Sequence, residues 1–222
     1  SPWTIVFFAI LGGFFSVLIV FLIASRDRTF STATVLLAGI AVNSFSIALL
    51  TLLVSFSLEN YEVSRQILYW TLGGLDGMSW QEFYFVSFFI LITLPIYYFA
   101  KHLNIMTFSD HEAQSLGIDV VKIRVLLILV VSLLTAVSVS VAGGIGFVGL
   151  VIPHIVRIVI GFSYKYVLPL SFIFGALFLS IIDLLARTVL MPEEIRIGAL
   201  TAFVGGPFFM YILLTHKKYL KL

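Results

Sequence analysis

Asp183 and Arg187 stand four residues apart, one helical turn, so an acid and a base share a face and can neutralise each other where water is scarce. Ser109-Asp110-His111-Glu112 has the spacing of a reciprocal helix cap: Ser109 accepts from the backbone N–H three residues on while Glu112 reaches back. Gly117 then offers a left-handed stop. Pro153, His154 and Arg157 fall in one apolar run, where a proline frees a carbonyl and invites a kink. His154 reads as a buried structural histidine rather than a metal ligand, because His102, His111 and His216 lie in other segments with no ligand spacing. With no cysteine there is no thiol nucleophile, thiolate metal site or disulfide. These groups position and neutralise; they do not break bonds. No catalytic residue and no metal site is expected, and the chain is expected not to be an enzyme.

The elements that carry them belong to a membrane. The 222 residues are 61% hydrophobic and 11% charged, far below the charge content of soluble domains. A formal net charge of +2 is too small to serve a nucleic-acid partner. About 20 apolar residues cross a hydrocarbon core of about 30 Å. Five runs of that kind are plain: Trp3 to Ala24, Ala33 to Leu58, Phe83 to Ala100, Tyr166 to Ile182 extended toward Leu190, and Ile197 to Thr215. The stretch from Val125 to Tyr164 would reach about 60 Å as one helix and should break once, at Ala142-Gly143-Gly144-Ile145-Gly146. The expected fold is therefore all-α, a polytopic transmembrane helix bundle with seven spans, read as a single transmembrane domain over 1–222.

Basic residues orient it. With an external N-terminus, seven spans put nine of them inside (Arg26, Arg28, Lys101, Lys122, Arg124, Lys165, Lys217, Lys218, Lys221) and two, Arg65 and Arg196, outside. Leaving the 125–164 stretch unbroken gives six against six. An external N-terminus with no signal peptide leads to the expectation that an odd number of upstream spans is missing, so that the N-terminus is truncated.

The connections have their own punctuation. Segment 101–124, on the inside, reads as a short capped helix, a glycine corner at Gly117, and then Asp119 capping the helix that enters the membrane through Lys122 and Arg124. It is either an interfacial connector or a docking element, with Ala113 and Leu116 exposed beside His111 and Gln114. Segment 59–80, outside, reads as an amphipathic helix over Tyr61 to Leu72 ended by Gly73-Gly74, with Trp70 and Trp80 as interface anchors. Asp183 and Arg187 fall toward the outer end of their span, either as an internal pair or with Arg187 offered to an external partner. Arg157 is expected to snorkel inward. Asn43, Ser44, Ser46, Thr51 and Ser55 on the second span, and Ser132, Thr135, Ser138 and Ser140 on the fourth, either line a path or allow close helix packing.

Four segments resemble the FecCD-type permeases of ABC importers for iron-siderophores, haem and cobalamin: Leu36 to Val42, Trp70 to Gly74 with Ser79-Trp80, Glu112 to Gly117, and Gly144 to Arg157. Gly175-Ala176, Asp183, Arg187, Gly198, Thr201-Ala202 and Gly206 to Phe209 continue the pattern. The resemblance implies a ten-span protein of which this chain holds spans four to ten, in the cytoplasmic membrane of a prokaryote. It implies ATPase subunits that bind ATP and Mg and grip a coupling site at Ser109, Glu112, Ala113, Leu116 and Gly117. It also implies an extracytoplasmic binding protein, docked through Arg65, Arg187 and Arg196, and a second permease copy or paralogue as dimer partner, all within membrane lipid. Asn43, Ser46 and Ser138 become candidates for the translocation path, and Pro153, His154, Arg157 and Asp183 structural motif positions. No cofactor is expected in this chain, which has no Gly-rich phosphate loop ending in Lys-Ser or Lys-Thr.

Two other classes fit part of the pattern. A seven-span receptor with an external N-terminus matches the span count, but leaves the capped inside helix without a purpose and has no lysine within the last span for retinal. A secondary transporter would show paired broken helices in two related halves.

Overall fold

The computed structural model describes residues 2–25, 32–56, 61–191 and 194–215. Arg26, Arg28, Lys217, Lys218 and Lys221, used to orient the chain, lie outside the described residues, as do His216 and the start of the 59–80 connection. Among the described residues every regular element is a helix: α1 (Pro2–Ala24), α2 (Thr32–Phe56), α3 (Tyr61–Leu72), α4 (Trp80–Thr93), a 3-10 helix (Leu94–Phe99), α5 (Ala100–Met106), α6 (Asp110–Ser115), α7 (Val120–Ala142), α8 (Val148–Ile160), α9 (Tyr164–Thr188) and α10 (Ile197–Thr215).

Five helical stretches are long and apolar enough to cross a membrane: Val6–Ala24, Ala33–Phe56, Trp80–Met106, Val120–Ala142 and Tyr164–Thr188. Val148–Ile160 and Ile197–Ile212 are shorter apolar helices. This differs from seven full-length spans. The sequence reading ran the span after the glycine break through to Tyr164. In fact the chain stays non-helical over 143–147 and the helix stops at Gly161, so α8 has 13 residues, about 20 Å of rise. The run from Phe83 is not one uniform helix either. Pro95 lacks an N–H and crowds the carbonyl four residues back, and the backbone tightens to 3-10 over Leu94–Phe99 before α5 resumes. Ala142 ends α7 where the glycine break was placed, and α3 has the bounds read from the sequence.

The chain forms two compact units. The first comprises Ser1–Tyr69, Trp80–Thr93 and Asp119–Val141. There α1 lies along α2, and α1 meets α7 where Gly13 faces Ala136, whose Cβ would sit 2.9 Å from any Cβ added at Gly13. Small residues let helices approach this closely without the help of the hydrophobic effect. Phe7, Phe8, Phe14, Phe15, Phe45 and Leu52 are exposed on this chain, as suits helices that face lipid or further helices.

The second unit comprises Trp70–Ser79, Leu94–Ile118 and Ala142–Leu222. Its centre is the α8–α9 hairpin, where Ile152, Val156 and Val167 pack with Leu170 and Phe178. Toward the far end of α9, Ile182 and Ala186 pack on Ile197 of α10 with Leu75 and Ile145. Phe178 belongs to both clusters, so the hairpin and α10 share one core.

Candidate functional site

The capped helix α6 forms much as the residue types require. Ser109 has an extended backbone and its Oγ accepts from the Glu112 N–H at 3.0 Å. The reciprocal half of the box, from the Glu112 carboxylate back to the Ser109 N–H, is not made among the described residues. At the other end Gly117 takes φ +80°, its N–H donates to the Gln114 carbonyl at 2.9 Å, and the Ile118 N–H donates to the Ala113 carbonyl at 3.0 Å. That pair of bonds is the Schellman closure, which satisfies carbonyls a six-residue helix would otherwise leave open. Asp119 then caps α7, accepting from the Lys122 N–H at 3.1 Å and pairing with its ammonium at 2.8 Å. The Lys122 side chain, and next its backbone N–H, hold the Asp119 carboxyl below its usual value. That cap therefore persists above the ordinary carboxylate range and is lost as the pH falls through the lowered value.

One expectation at this site is corrected. Ala113 is not exposed: it is 0% accessible, at the position the Schellman closure folds over, and α6 packs against α5. Leu116 is 68% exposed and Phe108 81%, while His111, Glu112 and Gln114 are open to solvent. These are the exposed side chains in and around α6, and the sequence reading had not singled out Phe108, which precedes the cap. Segment 101–124 is also divided, with residues up to Ile118 in the second unit and those from Asp119 in the first.

The α5 helix ties α6 to the hairpin. Ser163, the residue before α9, makes no capping bond of its own. Its task is done from a distance by Asn104 of α5, whose Oδ1 accepts from the Tyr164 N–H at 2.8 Å. Close by, the Tyr97 hydroxyl donates to the Lys165 carbonyl at 3.3 Å. Tyr164 also binds α8: Arg157, in its last turn, donates to the Tyr164 hydroxyl at 3.3 Å and lies over its ring at 5.4 Å. Arg157 thus ends beside an aromatic at the helix C-terminus, where its charge suits the dipole. Pro153 and His154 sit half-buried in the middle of α8.

At the far end of the same unit three backbones cross. The Gly74 N–H donates to the Ala142 carbonyl at 2.9 Å and the Gly144 N–H to the Trp70 carbonyl at 3.4 Å. Gly198 of α10 comes so near that a Cβ there would lie 2.1 Å from the Leu72 carbonyl oxygen and 2.5 Å from that of Gly144. Gly143, at φ +70°, would set a Cβ 2.2 Å from the Trp70 oxygen. The sequence marked Gly73-Gly74 as a helix stop and 142–146 as a break; that the two fold onto one another, with Gly198, carried no local signal.

Beside this crossing lies a cluster of charges. Arg187 donates twice to Asp183, at 3.0 and 3.1 Å, the pairing its four-residue spacing called for. Arg196, half-buried, pairs with Asp76 of the turn after α3. Its partner was missed, because the two are 120 positions apart. The Asp76 carboxylate, by a shared hydrogen bond and then by its charge, pushes the neighbouring Glu194 carboxyl above its ordinary range. A raised carboxylate costs stability above its folded value and ceases to as the pH falls through it. Glu194→Gln should accordingly raise the melting temperature at neutral pH and flatten its fall between weakly acidic and neutral conditions. A variant that tracks the parent at every pH would disprove the shared-proton arrangement.

The other residues of interest belong to the first unit. Arg65 donates to the Tyr69 hydroxyl at 2.7 Å and lies over its ring at 4.9 Å, on the first unit. Asn43 and Ser46 are exposed on α2, and Ser138 on α7. The Ser46 hydroxyl donates to the Val42 carbonyl of its own helix at 2.9 Å, as those of Thr51 and Ser55 do to theirs. Among the described residues no cluster of three or more His, Asp or Glu could hold a metal ion.

A family model described as the FecCD transport family matches residues 1–215. The chain is 37% identical to the Fe(3+)-citrate import system permease protein of Bacillus subtilis (strain 168), over 96% of this chain and 62% of that one. It is 35% identical to the vitamin B12 import system permease protein of Citrobacter koseri, over 97% of this chain and 64% of that one. A solved structure, described as an inward-facing conformation of a metal-chelate type ABC transporter, superimposes with a TM-score of 0.88 at 28% identity, covering 96% of this chain and 68% of that one. The chain thus spans less than two thirds of the length of the two relatives.

Proposed function

This chain belongs to the FecCD transport family, and on that premise we propose that it is the membrane permease part of an ATP-driven importer for a metal chelate. The match along residues 1–215 carries the reading, and the relatives named for ferric citrate and vitamin B12 bound the cargo to large metal-bearing ligands. Nothing in the family match or in α6 favours the seven-span receptor.

In this reading the full protein crosses the prokaryotic cytoplasmic membrane ten times and pairs with a second permease copy or paralogue. ATP and Mg are bound by separate ATPase subunits. Their contact is α6, a rigid six-residue helix closed at both ends by hydrogen bonds, with Leu116, Phe108 and His111 turned outward. Rigidity is what a coupling element needs, since a fraying helix would absorb the displacement it should transmit. An external binding protein delivers the cargo at the opposite end of the second unit, where Arg187 and Arg196 meet acidic groups on it, and Arg65 of the first unit is a further candidate contact. The ion pair with Asp76 leaves Arg196 less free to do so than Arg187, whose side chain is 42% exposed. Asn43, Ser46 and Ser138 are the path candidates, offering side-chain oxygens on exposed helix faces.

Proteoliposomes holding the full-length protein with its ATPase and binding protein provide the test. Ferric citrate or cyanocobalamin should accumulate inside only when ATP is supplied on the ATPase side. Accumulation that ignores ATP, or a permease that does not copurify with the ATPase, would overturn the importer reading.

A further inference from the structure

The α5–α9 bond is a long-range side-chain link that leads away from the proposed coupling helix within its own compact unit. Four observations meet there. The α6 helix packs against α5, and Ala113 on it is 0% exposed, so α6 cannot leave its place without uncovering a buried residue. Asn104 of α5 supplies the acceptor that the first N–H of α9 lacks locally. The Tyr97 hydroxyl adds a second bond, to the Lys165 carbonyl. Tyr164, whose N–H Asn104 holds, also receives Arg157 from α8 through its hydroxyl and ring. Three helices are thereby fastened to one residue. From Tyr164, α9 runs 25 residues to Thr188, past the core shared with α10 to the Asp183–Arg187 pair.

We propose that Asn104 is a positioning residue for ATP coupling: by holding the Tyr164 N–H it makes α9 follow α5 and α6, so that a push on α6 reaches the opposite end of the unit through α9. This rests on the permease reading above. It adds a route that the covalent one, from Gly117 through Asp119 into α7, does not use. The physical ground is the acceptor. A helix N-terminus whose first N–H is satisfied only by a neighbouring helix is held to that neighbour, and removing the acceptor leaves a donor unpaired as well as the two helices unlinked.

The test uses the full-length protein assembled with its ATPase in proteoliposomes, reading the rise in ATP turnover when the binding protein is added. Asn104→Ala should still assemble with the ATPase, yet lose about tenfold in that stimulation, an ordinary size for a coupling between sites. Asn104→Asp, which keeps the acceptor, should restore it. A merely structural asparagine would lower the melting temperature of the Ala variant and leave the stimulation unchanged. If Asn104→Ala assembles and is stimulated like the parent, the proposal is wrong. If it fails to assemble, Asn104→Asp decides: normal stimulation supports the route, and an assembled but unstimulated Asp variant refutes it. Leu116→Arg, run in parallel, separates this from the broader reading. Should that substitution leave ATPase coupling intact, the coupling role of α6 fails; should it abolish coupling while Asn104→Ala does not, only the α9 route fails.

Discussion

Gly198→Ala is expected to prevent stable folding of the second unit, at a cost of about 3 kcal/mol or more. The added methyl would stand 2.1 Å from the Leu72 carbonyl oxygen and 2.5 Å from that of Gly144, and both obstacles are backbone. Neither can rotate away as a side chain would, so relief requires α10 to withdraw from the crossing of 70–74 with 142–144. That would pull Ile197, fully buried, out of its contact with Ile182 and Ala186. Gly143→Ala should be as damaging, since its methyl meets the Trp70 oxygen at 2.2 Å in a backbone conformation alanine resists. Gly12 is the control. It lies within α1 with nothing near its missing Cβ, so Gly12→Ala should be neutral or stabilising by up to about 1 kcal/mol. Thermal unfolding of the purified protein in detergent measures all three, and a Gly198→Ala protein as stable as Gly12→Ala would contradict the crossing.

The second large effect concerns α6. On the permease reading, Leu116→Arg should weaken ATPase binding about 100-fold, the scale on which a central apolar anchor acts at a protein interface. The substitution puts a charge where Leu116 now offers an exposed apolar side chain, and Gly117 and Ile118 still close the helix behind it. Ala113→Arg should look similar in a copurification assay for a different reason. Its charge would enter a fully buried site on α6 and unfold the cap. Circular dichroism and melting separate the two, because Leu116→Arg should melt like the parent while Ala113→Arg should not. Undiminished ATPase affinity in Leu116→Arg would move the contact away from α6.

Much was legible one residue at a time, because it depends on local chemistry. Hydrophobic runs without charges become helices, since lipid offers no other partner for the backbone. Ser109 capping α6, Gly117 stopping it, Asp119 capping α7, Arg187 paired with Asp183, and the break after Ala142 all follow from spacings of four residues or fewer. The short α8 was misjudged because hydropathy counts apolar residues and does not see that Gly161, at φ +100°, ends the helix before Tyr164. Ala113 was misjudged because a small apolar residue on a short helix looks the same whether or not it is covered.

What the amino-acid order determined by itself, then, is the class of solvent, the helices and their caps, and the family resemblance carried by Gly144 to Arg157. Only the tertiary structure decided that Gly73, Gly143 and Gly198 are one junction, that Asp76 answers Arg196, and that Asn104 caps a helix 60 positions away. The reason is reach. A cap or an intrahelical ion pair is made within one turn of its own chain, whereas these contacts join segments that chain connectivity leaves free to lie almost anywhere.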